Sequence, residues 1–336
     1  MNPALRFLIL TDHRDHTDQN SLYALAPRLA ADPRCAVLHI ASRGLPANAA
    51  FFDARALTQV QCAVVGQGFA YQPAGEVFTH NTFPAALADY DVVWMRLPHP
   101  ASEAFLLRVE AAAQANAQLI INRPSGLLET GNKAYLRHFA EFCPPLALVQ
   151  SPAEVYAFAE RFAAVLKPLY AHGGNGIVKI LNGSAEEDGQ TFPLATWLAR
   201  RTAQLRNEGY LAMKFLDRVT EGDKRILVVN GKVLGASLRL PPPDGWLCNV
   251  AQGGRSVPAE IDAVEQKMID VIAPLLLAKG VVFFGMDTLV GDDGQRVLSE
   301  LNTLSIGGFP QAEAQSGRPI LQQAIDELFN YCYANR

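Results

Sequence analysis

Asp287, Glu300 and Asn302 carry the most specific chemical signal in this 336-residue chain. They sit on two apolar runs, VVFFGMDTLV and RVLSELN, on either side of Gly291-Asp292-Asp293-Gly294. That arrangement predicts a hairpin. Folding about Asp292 and Asp293 puts Asp287 opposite Leu298, with Glu300 and Asn302 on the same face because side chains alternate along a strand. Two carboxylates and an amide oxygen suit Mg²⁺ carrying nucleotide phosphates, since Mg²⁺ takes few protein carboxylates and keeps several waters. The alternative is the solvated face of an edge hairpin. The apolar arms argue against it, because a buried, unpaired carboxylate is costly.

Cations stand ready for the phosphates. Lys133 opens a helical stretch, and Lys167 closes the strand AVLKP just before Gly173-Gly174-Asn175-Gly176. Backbone N–H groups in a glycine-rich loop cradle phosphate oxygens, and a nearby lysine neutralises them. Taken alone, the glycines also fit an ordinary turn, with His172 as turn filler. They match neither the GKS/GKT of a Walker A loop nor the spacing of a dinucleotide fingerprint. Arg225, in GDKR, together with Arg239 and Arg255 could clamp a phosphate or carboxylate bidentately. Each arginine taken singly reads equally well as a surface charge.

The elements that position these residues change character along the chain. Arg6–Leu10, Ala36–Ile40, Val60–Val65, Asp91–Met95 and Gln118–Asn122 read as strands between helical patterns, Glu103–Ala117 among them. This predicts a largely parallel α/β sheet. After a helix at Lys133–Phe142, strands are expected at Val165–Lys167, Ile177–Ile180, Tyr210–Phe215 and Arg225–Val229. Another at Val233–Leu240 follows the Asn230-Gly231 turn, a strong hairpin signal. A helix is expected over about Ile261–Lys279.

Composition narrows the function. With 29 Lys+Arg against 33 Asp+Glu the net charge is −4, which excludes a strongly basic surface for nucleic acid or anionic membrane. No apolar run is long enough to span a bilayer, and the N-terminus lacks the features of a signal peptide. Five scattered cysteines with no CxxC pair argue for a reducing cytoplasm over a disulfide framework or zinc site. No Ser-His-Asp or Cys-His arrangement is apparent.

Taken together, WMRLPHP, INRPSGLLETGNK, VLKPLYAHGGNGI, EGDKRILVVNGKV, NVAQGGR, FFGMDTLVG and SELN resemble the ATP-grasp ligases, and among them bacterial glutathione synthetase. The resemblance runs from about Asp91 to Leu328. It implies an N-terminal parallel-sheet α/β substrate domain (1–123) followed by a two-part α+β ATP-grasp fold. The two parts are a lid (124–209) and a C-terminal subdomain (210–336) with a mobile loop over 240–255. It further implies that Lys133, Lys167, Gly173 and Gly174 meet ATP phosphates. The backbone of Lys214, Phe215 and Leu216 would meet adenine, and Asp223 the ribose. Arg225 and Arg255 would act in catalysis, Arg225 also contacting the nucleotide. Arg96, Arg239, Asn249, Arg255 and Ser305 would face substrate. Asp287, Glu300 and Asn302 would hold Mg²⁺, two ions being expected, with Mn²⁺ as an alternative. The partners implied are a small-molecule acid and amine, and the resemblance suggests a homo-oligomer.

The chain departs from the family pattern at defined places. Tyr170 and Ala171 replace Asp and Gly, and Gly131-Asn132 precede Lys133 where the family has Asn-Glu. Leu247 stands in place of an arginine, and Leu304-Ser305-Ile306-Gly307 replace Thr-Ser-Pro-Thr. Three functions therefore remain open: glutathione synthesis from γ-glutamylcysteine and glycine, the same chemistry on another acid–amine pair, and a nucleotide-binding module without catalysis.

Overall fold

Leu5–Thr11, the first apolar run, is strand β1 of a six-stranded sheet. The computed structural model describes residues 2–66, 68–171, 173–243, 245–248 and 253–336. The first sheet continues with β2 (Cys35–Ser42), β3 (Gln59–Val64), β4 (Phe83–Ala86), β5 (Val92–Arg96) and β6 (Leu119–Ile121), in the order β4-β3-β2-β1-β5-β6. β2, β1, β5 and β6 are mutually parallel, whereas β3 and β4 join antiparallel at one edge. Both faces of β1 are covered. Leu8 and Leu10 share a core with Phe105, Leu106 and Val109 of the helix Glu103–Ala115. Phe7 and Ile9 share another with Leu22, Leu25 and Leu29 of the helix Leu22–Ala30. Burial on two faces explains why the strand reads as an unbroken apolar run.

The second sheet is wholly antiparallel. Its strands are β7 (Leu146–Val149), β8 (Ala164–Pro168), β9 (Val178–Leu181), β10 (Ser184–Glu187), β11 (Gln190–Pro193) and β12 (Tyr210–Lys214), ordered β11-β10-β9-β8-β12-β7. It has its own core, with Trp197 and Leu198 of the helix Leu194–Asn207 packed with Leu166, Ile180 and Ala212. A boundary at 209/210 would cut this sheet, because β12 pairs with both β7 and β8.

The third sheet, β13 (Asp223–Val229), β14 (Lys232–Leu240), β15 (Arg255–Ala259), β16 (Phe283–Val290) and β17 (Arg296–Asn302), runs β15-β14-β13-β16-β17 and is also antiparallel. It is built onto the first sheet. The Trp94 and Phe283 rings lie 4.8 Å apart. The buried Asn122 side chain donates to the carbonyls of Phe283 and Thr303, each at 2.7 Å, and accepts from the N–H groups of Val282 and Phe283. All the bonds of one amide are thus used to join two sheets, where an unmet one would be expensive. The helix Ala263–Ala278 closes the outer face, its N-terminus capped by Asp262 in a capping box with Glu265. Among the described residues no helix is long and apolar enough to cross a membrane.

The register of the acidic hairpin differs from the expectation. Thr288, not Asp287, lies opposite Leu298, and Asp287 lies opposite Glu300. A bulge between Asp287 and Thr288 leaves Ser299 as the extra residue. The two carboxylates are therefore direct cross-strand neighbours rather than diagonal ones.

Candidate functional site

The site lies where the third sheet faces the ends of the other two. Across β14, β13, β16 and β17, Ser237, Arg225, Asp287 and Glu300 fall in one cross-strand row. Like charges opposed in a sheet are unfavourable, so the row is stable only with cations added. Arg225 binds both oxygens of Asp287 through Nε and a terminal nitrogen, and Arg239 reaches the same carboxylate at 2.9 Å. Asn302 donates to Asp287 at 3.2 Å. Gly285 makes room for this arrangement, since a Cβ there would lie 3.1 Å from Arg225 Cδ. Arg239 also forks onto Asp223, at 2.5 and 2.7 Å.

Burial pushes the Asp287 carboxyl upward, but the Arg225 and Arg239 guanidiniums outweigh it and hold the group below the ordinary carboxylate range. Asp223 goes the other way, raised by burial and by Asp287 against the pull of Arg239. Glu300 is held low: burial raises it, and Lys133 and Lys167 more than compensate.

Both lysines predicted for phosphate are at this row. Lys133 Nζ is 2.9 Å from Glu300 Oε1 and also donates to the Ala171 carbonyl, so it bridges the acidic strand and the glycine-rich segment. The Lys133 N–H donates to Leu169 O, fixing the start of the helical stretch Lys133–Phe142, a 3₁₀ segment kinked at Phe139. Lys167 Nζ donates at 3.0 Å to the carbonyl of Ser299, the bulged residue. Burial lowers the Lys167 ammonium from its ordinary value, partly opposed by Glu300.

Two cavities open on the row. The first, about 500 Å³, is lined by Lys133, Gly173, Arg225, Arg239, Glu300, Asn302 and the segment from Thr303 to Gly308, together with Ser237, Ser256, Gln19 and Gln311. The second is small, about 80 Å³, and runs between the second and third sheets, lined by Lys167, Lys214, Phe215, Leu216, Asp223 and Glu300. Trp246, Leu247 and Cys248 close it. Trp246 stacks edge-on against Phe215, donates from Nε1 to Glu186 on β10, and has the Lys179 ammonium 5.8 Å from its ring centre.

The structure gathers most of the predicted site residues and leaves some aside. Ser305 lines the first cavity, and Lys214, Phe215, Leu216 and Asp223 line the second. Gly173 lines the first cavity, and both Gly173 and Gly174 have positive φ, as a tight glycine turn requires. Arg96 is not among the cavity-lining residues. Its side chain is fully buried, donates to Ile306 O at 3.0 Å and lies over Trp94, and burial lowers it to about 10. Arg96 thus supports the segment that lines the cavity from behind. Arg255 is exposed at the start of β15, away from the cavity wall, where its neighbour Ser256 lines instead. Asn249 and His172 lie outside the described residues.

Several residues at the site went unpredicted. Ser237 faces Arg225 only because β13 and β14 slip by one residue between Leu227 and Val228. Gln19, Gln311 and His99 are polar residues in loops or on helices with no spacing signal. Trp246, beside the Pro241–Pro243 run, was the one with an available cue, a large aromatic in a polar loop.

Among the described residues no group of three His, Cys, Asp or Glu is poised to hold a metal. The all-oxygen set Asp287, Glu300 and Asn302 nevertheless fits a hard cation that keeps several waters.

Comparison with known proteins identifies the family. The family model "Prokaryotic glutathione synthetase, ATP-grasp domain" matches residues 132–317. The chain is 35% identical over 247 residues to a glutathione synthetase of Parasynechococcus marenigrum (strain WH8102), covering 72% of this chain and 76% of that one. It is 29% identical over 282 residues to a glutathione synthetase of Thermosynechococcus vestitus (strain NIES-2133 / IAM M-273 / BP-1), covering 82% and 84%. In fold it is similar to the Chryseobacterium gregarium RiPP-associated ATP-grasp ligase in complex with ADP and a leader and core peptide, with TM-score 0.61, 14% identity and 97% of each chain covered. It is likewise similar to the ATP-grasp ligase PsnB complexed with minimal precursor, Mg and ADP, with TM-score 0.57, 18% identity and coverage of 97% and 98%. The chain is an ATP-dependent, C–N-bond-forming ligase and belongs to the prokaryotic glutathione synthetase family of the ATP-grasp ligases.

Proposed function

We propose that the protein joins a small-molecule acid to an amine with release of ADP, through an acyl phosphate. The observation that carries this reading is the meeting of Lys133, Lys167, Arg225 and Arg239 with Asp287, Glu300 and Asn302 between two cavities. The smaller cavity, floored by Phe215 and Leu216, takes the adenine, with Asp223 at the ribose. The larger takes the acid beside Arg225 and Arg239. In these terms the chain divides into a substrate unit, a lid with its own core and a C-terminal unit, near residues 1–123, 124–209 and 210–336, with the second boundary moved past β12 so that the lid sheet stays whole.

A carboxylate is a poor acyl donor. It becomes one by accepting the γ-phosphoryl group of ATP, and the amine then attacks the carbonyl carbon. The C–N bond forms, the C–O bond to phosphate breaks, phosphate leaves and the nitrogen gives up its proton. Mg²⁺, two ions in this reading, would be held by Asp287, Glu300 and Asn302 and would neutralise charge on the transferring group. Arg225 stabilises the same charge, already oriented by Asp287. Lys133 and Lys167, paired with Glu300 and the Ser299 carbonyl, hold phosphate oxygens between lid and floor. Trp246–Cys248 close the nucleotide cavity to water.

The names of the relatives make γ-glutamylcysteine and glycine the first pair to test. A different pair is favoured by one observation: Gly131, Tyr170, Ala171 and Leu304, four departures from the family pattern, line a common cavity. The deciding experiment measures ADP release with γ-glutamylcysteine plus glycine, then with each omitted or replaced. Release that needs both selects glutathione synthesis. Release only with another acid–amine pair selects the second reading. Nucleotide binding without turnover on a wide panel would reject catalysis.

A further inference from the structure

A third cavity, about 540 Å³, adjoins the acid cavity and shares His99, Gly131, Ala171 and Leu304 with it. Its far wall is apolar, formed by Leu106 on the helix Glu103–Ala115 and by Leu127 and Leu128 on the helix Pro124–Thr130. Its mouth is framed by Tyr170, whose ring meets His99 edge-on at 5.1 Å yet remains 52% exposed. A half-uncovered aromatic beside an apolar hollow has the character of a binding surface, since an amphipathic ring offers contact area at low entropic cost.

The charges of the two cavities are opposite in kind. The acid cavity carries Lys133, Arg225 and Arg239 among its lining residues. Among the described residues, the adjoining one carries Glu103 and Glu208 and neither lysine nor arginine. A carboxylate finds no lysine or arginine there, whereas an approaching cationic amine is attracted into the cavity as a whole. Glycine would leave such a volume empty, and ligand pockets of several hundred Å³ bury apolar bodies.

We propose that this cavity is the acceptor subsite, and that it takes an amine carrying a bulky apolar or aromatic body, with the amino group directed past His99 and Ala171 toward the acid. This rests on the ligase reading above and specifies its amine.

The test uses the full chain saturated with Mg²⁺ and a non-hydrolysable ATP analogue, titrated calorimetrically with glycinamide, leucinamide and phenylalaninamide. Phenylalaninamide is expected to bind at least about tenfold more tightly than glycinamide, the gain a well-formed apolar pocket gives for several carbons. Ala101→Trp, which fills the cavity from its rim, should bring the two affinities together, and Tyr170→Ala should weaken phenylalaninamide several-fold. Nucleotide titration of each variant reports whether it has folded. Equal affinities for the three amides, or a preference that survives Ala101→Trp in the folded variant, overturn the proposal. Wild-type protein that fails to bind the nucleotide analogue is a separate result, which overturns the ligase reading and this subsite with it.

Discussion

Asp287 and Glu300 face each other across adjacent strands, and each is neutralised by different cations: Arg225 and Arg239 hold the first, Lys133 the second. The division matters because the two cation sets belong to different parts of the chain. The arginines sit on the same sheet as Asp287 and pre-orient it. Lys133 comes from the segment that also holds the glycine-rich loop, so Glu300 is coupled to that loop's position.

Glu300→Gln keeps the shape but removes the charge that Lys133 and a cation share. Turnover dependent on Mg²⁺ should fall at least about a hundredfold, as expected for loss of a metal-site oxygen. The circular dichroism spectrum should be unchanged. Near-normal kcat at saturating Mg²⁺ would exclude Glu300 from the metal site.

Arg225 and Arg239 bind the same carboxylate but should fail differently. Arg225→Ala is expected to lower kcat more than it raises the KM for ATP, because the charge it meets is fully developed only as the phosphoryl group transfers. Arg239→Ala leaves Asp223 and Asp287 facing each other without their shared partner, and should cost about 3 kcal/mol in urea unfolding. Equal stabilities for the two variants would contradict this division of roles.

Trp246 is clamped between Phe215 and Glu186 at the small cavity, and about 80 Å³ is too little for a purine. On the proposed reading, nucleotide entry therefore shifts it. Its fluorescence should change on adding ATP, and the change should disappear in Trp246→Phe, with Trp94 and Trp197 retained as internal references. An identical signal in the variant would rule the movement out.

His16 is a half-buried imidazole beside Thr11 and Tyr23. Burial, aided by the Arg96 charge, lowers its imidazole to about 4. Between about 6.5 and about 4 the unfolded chain binds this proton more readily than the folded one, so stability falls as pH is lowered through that window. His16→Gln should flatten that limb of the stability–pH curve relative to wild type. His13 and His39, also lowered by burial, leave a residual slope. A limb unchanged by His16→Gln would show that this imidazole is not protonated late.

Much of the architecture was legible because local signals are strong where burial is two-sided or turns are tight. β1, β5 and β6 showed as apolar runs, and Asn230-Gly231 gave its hairpin because both residues take the positive φ that such a turn demands. β10, β11 and β15 were not legible. They are short, partly exposed strands whose polar sequences, such as SAEE and QTFP, carry no alternation. Arg96 shows a subtler loss. A motif places an arginine at a strand end, but only packing shows that the 304–308 segment covers it.

Residue type and short-range spacing set out the chemistry on offer: two carboxylates and an amide on one hairpin, two lysines, a glycine-rich turn and three arginines, Arg225, Arg239 and Arg255. The tertiary structure alone decided which of them meet. One-residue slips in two hairpins set Ser237 against Arg225 and Asp287 against Glu300, because a bulge depends on packing across the sheet rather than on turn residues. It likewise decided that Gly131, Tyr170, Ala171 and Leu304, spread over 174 positions from first to last by their own numbering, surround one hollow. Cavities are made by what several elements leave unfilled between them, and no local pattern encodes that space.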